Sequence, residues 1–155
     1  AFSGGINNIS NIDEGVDNAD GNWGTITQST NYIRVGFDTP PGSLNPGSGL
    51  QTFRIRSRYG SAATIVIDLY ESSTLVSSAI LTQALTSSFA NYSATWGASL
   101  LSDMSGAGVE MHVRKTNGSQ VNIEALDWIA DYTPPASLAL PRSRMGTRWM
   151  TAKRF

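Results

Sequence analysis

Three arginines at alternate positions, Arg54, Arg56 and Arg58, stand in the stretch FRIRSRYG. In an extended strand, period two puts all three guanidinium groups on one face. Phe53, Ile55, Ser57 and Tyr59 then share the other. Such a row either meets acidic groups on neighbouring strands or offers a contact for a carboxylate, a phosphate or a partner protein. Two carboxylates, Glu110 and Glu124, come nearest to the acid and nucleophile of a glycoside-cleaving pair. The spacing predicts that they face each other on the polar side of a hairpin, where like charges cost a few tenths to ~1 kcal/mol. Arg114 stands close enough in sequence to relieve them, which favours a structural role. His112 is the sole imidazole. With no cysteine and no Ser-elbow motif, a hydrolytic triad is not expected, and His112 reads as a surface strand residue. The acids Asp13, Glu14, Asp17 and Asp20 lack the Asp-x-Asp-x-Asp-Gly spacing of a calcium loop. Asp20-Gly21 reads instead as a turn. There is no GxxxxGK, HExxH or GxGxxG. The expectation is a chain that is not an enzyme, with no metal and no cofactor.

Aromatic residues offer a further chemistry. Trp23, Tyr32, Tyr59, Tyr70, Tyr92, Trp96 and Trp128 are candidates for a platform on which sugar rings stack. In a domain of this size most are expected in the core, leaving one or two exposed.

The elements that would position these groups are short strands. The pattern predicts strands at 31–37, 50–59, 62–71, 74–82, 89–96, 108–115 and 119–132. Pro40-Pro41-Gly42, Asn45-Pro46-Gly47 and Gly106-Ala107-Gly108 break the chain between them. Asp103-Met104-Ser105 reads as one helical turn. Val109, Met111 and Val113 alternate with Glu110, His112 and Arg114, and Val121, Ile123 and Ala125 alternate with Gln120, Asn122 and Glu124. A three-residue loop, Thr116-Asn117-Gly118, would pair Val113 with Val121 and Met111 with Ile123, with Gly118 left-handed. His112 then faces Asn122. Beyond Ala125 the apolar phase moves to Leu126, Trp128 and Ala130, which predicts a bulge. Ile65, Ile67, Leu69, Val109, Met111, Val113, Val121, Ile123 and Trp128 are the expected core. The fold class expected is all-β: an antiparallel jelly-roll β-sandwich with an extended C-terminal arm.

Composition agrees. The chain has 155 residues, no Cys and only 15% charged residues, with Ser, Thr, Asn and Gly making up more than a third. Neither disorder nor a helix-rich fold suits that mixture. No apolar run is long enough to span a membrane, and the opening Ala1-Phe2-Ser3 shows no signal-peptide pattern. The net charge of −1 conceals a division. Residues 1–140 hold twelve acids and six bases, whereas residues 141–155 hold Arg142, Arg144, Arg148, Lys153 and Arg154 and no acid. The reading is a sandwich body at 1–133, then a proline linker and basic docking arm at 134–155. The arm, at 137–155, is expected to bury Trp149, Met150 or Phe155 against another chain, with its cations facing acidic groups there. The acidic body would repel a nucleic-acid duplex, so no nucleic-acid partner is expected.

The segments NIDEGVDNADGNW, YIRVGF, FRIRSRYG, IVIDLYESSTLVSSAILT, NYSATW, LLSDMSG, VEMHVRK and VNIEALDWIADY, within residues 11–132, resemble jelly-roll virion proteins of tailed bacteriophages. Met104 stands where that pattern has Trp, and Ser72 where it has Gly. The resemblance implies a structural component of the phage particle, such as a capsid decoration (cement) protein or head-fibre base. It would be made in the host cytoplasm and bind the major capsid protein or another virion protein. It would also bind copies of itself, as in a trimer. The alternative of the same fold is a carbohydrate-binding jelly-roll module of a tail fibre or secreted glycosidase.

Overall fold

The computed structural model describes residues 6–7, 23–27, 32–118 and 120–134. The arm residues Arg142, Arg144, Arg148, Trp149, Met150, Lys153, Arg154 and Phe155 lie outside the described residues, as do the acids Asp13, Glu14, Asp17 and Asp20.

The described chain is an antiparallel β-sandwich of jelly-roll type. Its strands are β1 (Ile6–Asn7), β2 (Gly24–Ile26), β3 (Tyr32–Gly36), β4 (Ser43–Leu44), β5 (Gln51–Ser61), β6 (Thr64–Glu71), β7 (Thr74–Ala84), β8 (Ala90–Trp96), β9 (Val109–Lys115), β10 (Gln120–Ile129) and β11 (Tyr132–Thr133). One sheet runs β1-β2-β10-β5-β8, the other β3-β9-β6-β7, and β4 pairs with β11 at one end. The predicted strands are present within a few residues of their expected ends. The short β1, β2 and β4 carry too few alternating residues to be seen in the sequence. Among the described residues no helix is long and apolar enough to cross a membrane.

Alternation builds the core. Phe53 and Ile55 on β5, with Val121 and Ile123 on β10, face Ile65, Ile67 and Leu69 on β6 and Val109, Met111 and Val113 on β9; all are fully buried. Each such side chain contributes roughly 1.5–3 kcal/mol. Trp128 packs against this cluster from a partly buried position. Toward one end Phe37, Phe53, Trp96 and Trp128 stack with centroids 5.4–6.4 Å apart.

The expected β9–β10 hairpin is not formed. β9 pairs with β3 and β6, whereas β10 pairs with β2 and β5 in the opposite sheet. Alternation requires only that both apolar faces meet one core. Strands on opposite sheets satisfy that as well as a hairpin does. Residues 116–118 therefore belong to a crossing. The Thr64 amide donates to Asn117 Oδ1 at 2.6 Å, and buried Lys115 donates to the carbonyls of Thr27 and Gly118 at 2.9 and 2.7 Å. Gly118 is left-handed, as expected, with φ of 76°. A Cβ there would sit 2.1 Å from the Ala62 carbonyl oxygen. The expected bulge lies slightly earlier than read, between Ile123 and Ala125. Among the described residues the helical turn is at Ala98–Leu100. Asp103-Met104-Ser105 instead forms a turn in which the Ser105 amide donates to Asp103 Oδ1 at 2.8 Å.

Candidate functional site

The outward face of the five-stranded sheet carries the arginine row. Successive arginines stand about 7 Å apart along β5. Register places Arg58 beside Asn122, Arg56 between Asn91 and the bulged stretch of β10, and Arg54 between Ser93 and Asp127. Arg54 makes a two-pronged pair with Asp127, Nε to Oδ1 at 2.8 Å and Nη2 to Oδ2 at 2.6 Å. Arg56 donates to Glu124 Oε2 at 2.5 Å and to Asn91 Oδ1 at 3.2 Å. Two of the three thus meet the acidic partners that a solvated sheet face calls for. Arg58 differs. It pairs with no carboxylate among the described residues, and its Nε is buried without a hydrogen-bond partner. Its guanidinium carbon lies 4.6 Å from the Phe89 ring centroid and 5.0 Å from that of Trp23.

Trp23 and Phe89 themselves meet at 5.8 Å with planes tilted by 52°. The two rings make an open V around the Arg58 guanidinium. Trp23 keeps 39% of its surface exposed. Beside the V, buried Asn122 fastens its neighbours: Thr25 Oγ1 and Gln120 Nε2, both on partly exposed residues, donate to its Oδ1 at 3.1 and 2.7 Å. This constellation joins exposed aromatic surface to ordered, planar hydrogen-bonding groups. It suits a ligand whose apolar face stacks while its edges are hydrogen-bonded, as a sugar ring's do. Trp23 stands among the aromatic candidates named from sequence. Phe89 does not: the candidates named were tryptophans and tyrosines, and nothing in the pattern brings Phe89 to Trp23 across 66 positions.

The opposite outer face has a different character. His112 is stacked between Tyr70, 3.7 Å away by ring centroids, and Tyr32, 5.2 Å away, both at 14°. It is buried, which corrects the expectation of a surface residue: its ring is covered by the tyrosines of both flanking strands. Its neighbour is Glu110, at 3.0 Å from Nε2, not Asn122. Glu110 and Glu124 lie on different sheets, so the expected facing pair does not exist. Glu110 binds Arg34 at 2.5 Å and Glu124 binds Arg56; Arg114 serves Asp68 instead, at 2.8 Å. Burial works against charge on Glu110, but hydrogen bonds from Arg34 and His112 outweigh it and hold the carboxyl below its ordinary range. Here the ring faces cover one another and the charges cancel locally, leaving little for a ligand.

A surface cleft of 530 Å³ lies between the β6–β7 turn and the 98–107 segment. Its buried carboxylate, Glu71, accepts three hydrogen bonds from Ser102 and the Asp103 amide. Burial opposes its charge, and these bonds more than compensate, lowering its pKa. Glu71 is thereby occupied in fastening a loop. Among the described residues no cluster of three or more carboxylates and imidazoles is placed to hold a metal ion.

No family model matches the chain, and no curated protein does. Solved structures do resemble it. One, described as "CBM4 structure and function" and thus a carbohydrate-binding module, superposes with a TM-score of 0.52 at 10% identity, over 72% of each chain. Another comprises the CBM22-1 and GH10 modules of Clostridium thermocellum endo-1,4-beta-D-xylanase 10B complexed with xylohexaose. It matches with a TM-score of 0.54 at 7% identity, over 84% of this chain and 25% of that one. At such identities the likeness is one of fold: the chain shares the β-sandwich jelly roll of carbohydrate-binding modules.

Proposed function

We propose that this chain is a carbohydrate-binding module that holds a glycan against the outward face of its five-stranded sheet. The observation that carries the reading is the exposed Trp23 and half-buried Phe89 set around Arg58, beside Arg56 and Asn91. The fold shared with carbohydrate-binding modules supports it. The role is binding rather than catalysis, since Glu110 and Glu124 stand on opposite sheets and each is tied to a cation. A virion component, the first expectation from sequence, would draw on the Arg54–Arg56–Arg58 row and on the arm. Arg54 and Arg56 are already engaged by Asp127 and Glu124.

Affinity electrophoresis of the full chain through soluble xylan, mixed-linkage glucan, galactan and pectin tests the reading. Retardation in at least one gel is expected. Trp23→Ala should weaken it about tenfold, the equivalent of ~1.4 kcal/mol of lost stacking, with circular dichroism unchanged. Mobility unaffected by every polysaccharide, or retardation indifferent to Trp23→Ala, would overturn it.

A further inference from the structure

We infer that the glycan recognised on this face carries a carboxylate, that is, a uronate unit, and that Arg58 is its anchor. The inference rests on the carbohydrate-binding reading and deepens it. Among the described residues the face sets three guanidinium groups against two carboxylates, Asp127 and Glu124. The unmatched charge belongs to Arg58 and sits at the aromatic V rather than at random on the surface. Trp23 and Phe89 hold the guanidinium from two sides. Phe89 also lies 5.7 Å from the Arg56 guanidinium, so two like charges share one ring while a single carboxylate, Glu124, answers them.

The chemistry of the ligand follows. A guanidinium held over rings loses little further entropy on binding, and its planar fork matches a carboxylate in two-point geometry. Desolvation by the rings strengthens that contact relative to open water. A neutral sugar would leave the cation without a counter-charge on a surface where its two neighbours have theirs. A uronate completes the pattern, with its ring stacked on the exposed part of Trp23 and its carboxylate on the outer guanidinium nitrogens. Glu124, satisfied by Arg56, does not repel it as a free carboxylate would.

The test compares acidic glycans with their own carboxyl-reduced forms, binding each to the full-length chain by calorimetry. The probes are polygalacturonate, glucuronoxylan and alginate. At least one acidic form is expected to bind tenfold or more tighter than its reduced counterpart, with the advantage shrinking as salt rises. Arg58→Gln should erase that difference, and Arg58→Lys should restore only part of it, since an ammonium supplies charge without the fork. Equal binding of acidic and reduced forms by the unaltered chain would overturn the inference while leaving the carbohydrate reading standing. So would a preference that survives Arg58→Gln. Failure of every acidic and neutral polysaccharide to bind would overturn both.

Discussion

Glu110 shows how a single residue ties stability to pH. Its carboxyl, like that of Glu71, ionises below the ordinary value of 4.5. A group whose pKa is depressed on folding contributes stability that is present above the unfolded value and lost as pH falls through the folded one. The urea midpoint is therefore expected to be flat near neutrality and to decline below about pH 4.5. Glu110→Gln should lower the midpoint at pH 7 and make the decline shallower, because one of the linked groups is gone. An equally steep decline in the variant would assign the acid sensitivity elsewhere. Residue identity was legible in the sequence where period alone decides it. The inward face of β5 and the outward arginines followed from alternation. Which arginine lacked a carboxylate did not, because that depends on the sheet partner: Asp127 and Glu124 reach β5 from a strand more than 60 positions away.

At the scale of elements, the β6–β7 turn departs from ordinary turn chemistry. Its two central residues, Ser72 and Ser73, both have positive φ, 48° and 70°, as a type I′ hairpin requires. Neither is glycine or asparagine. A left-handed conformation costs an L residue roughly 1–2 kcal/mol, and glycine returns part of that gain through its greater freedom when unfolded. Ser72→Gly is thus expected to raise stability by about 0.5–1 kcal/mol, visible as a higher melting temperature; a lower one would show that the Ser72 side chain holds the turn. The crossing at 116–118 predicts the opposite sign. Gly118→Ala should destabilise by about 1–3 kcal/mol through strained backbone, because its Cβ would meet the Ala62 carbonyl. An unchanged melting temperature would mean that the crossing yields. Sequence alone located this glycine and its left-handed conformation. It misassigned the loop's partners, since nothing in an alternating pattern records which sheet a strand enters.

For the whole molecule, the core of the described residues lies before the proline pair. The described hydrophobic cluster, with the residues packed on it, ends at Tyr132. A chain truncated after Pro134 is expected to keep its circular dichroism and its urea midpoint. A loss of more than ~1 kcal/mol would show that residues 135–155 contribute to the body. A docking role for 137–155 remains our proposal for the arm, and the same truncation tests it, with attachment to a partner lost while the fold persists.

The crossing between β9 and β10 also governs how the molecule comes into being. Successive strands are sent to opposite sheets, so β10 must find its place between β2 and β5 while β9 finds its own between β3 and β6. Neither sheet can be finished first. Nearly all pairings wait on closing long stretches of chain, the β6–β7 hairpin being a local exception. Refolding is therefore expected on the millisecond-to-second scale of non-local β topologies. Tryptophan fluorescence and far-ultraviolet dichroism should follow one shared exponential, because no half-sandwich is stable enough to accumulate.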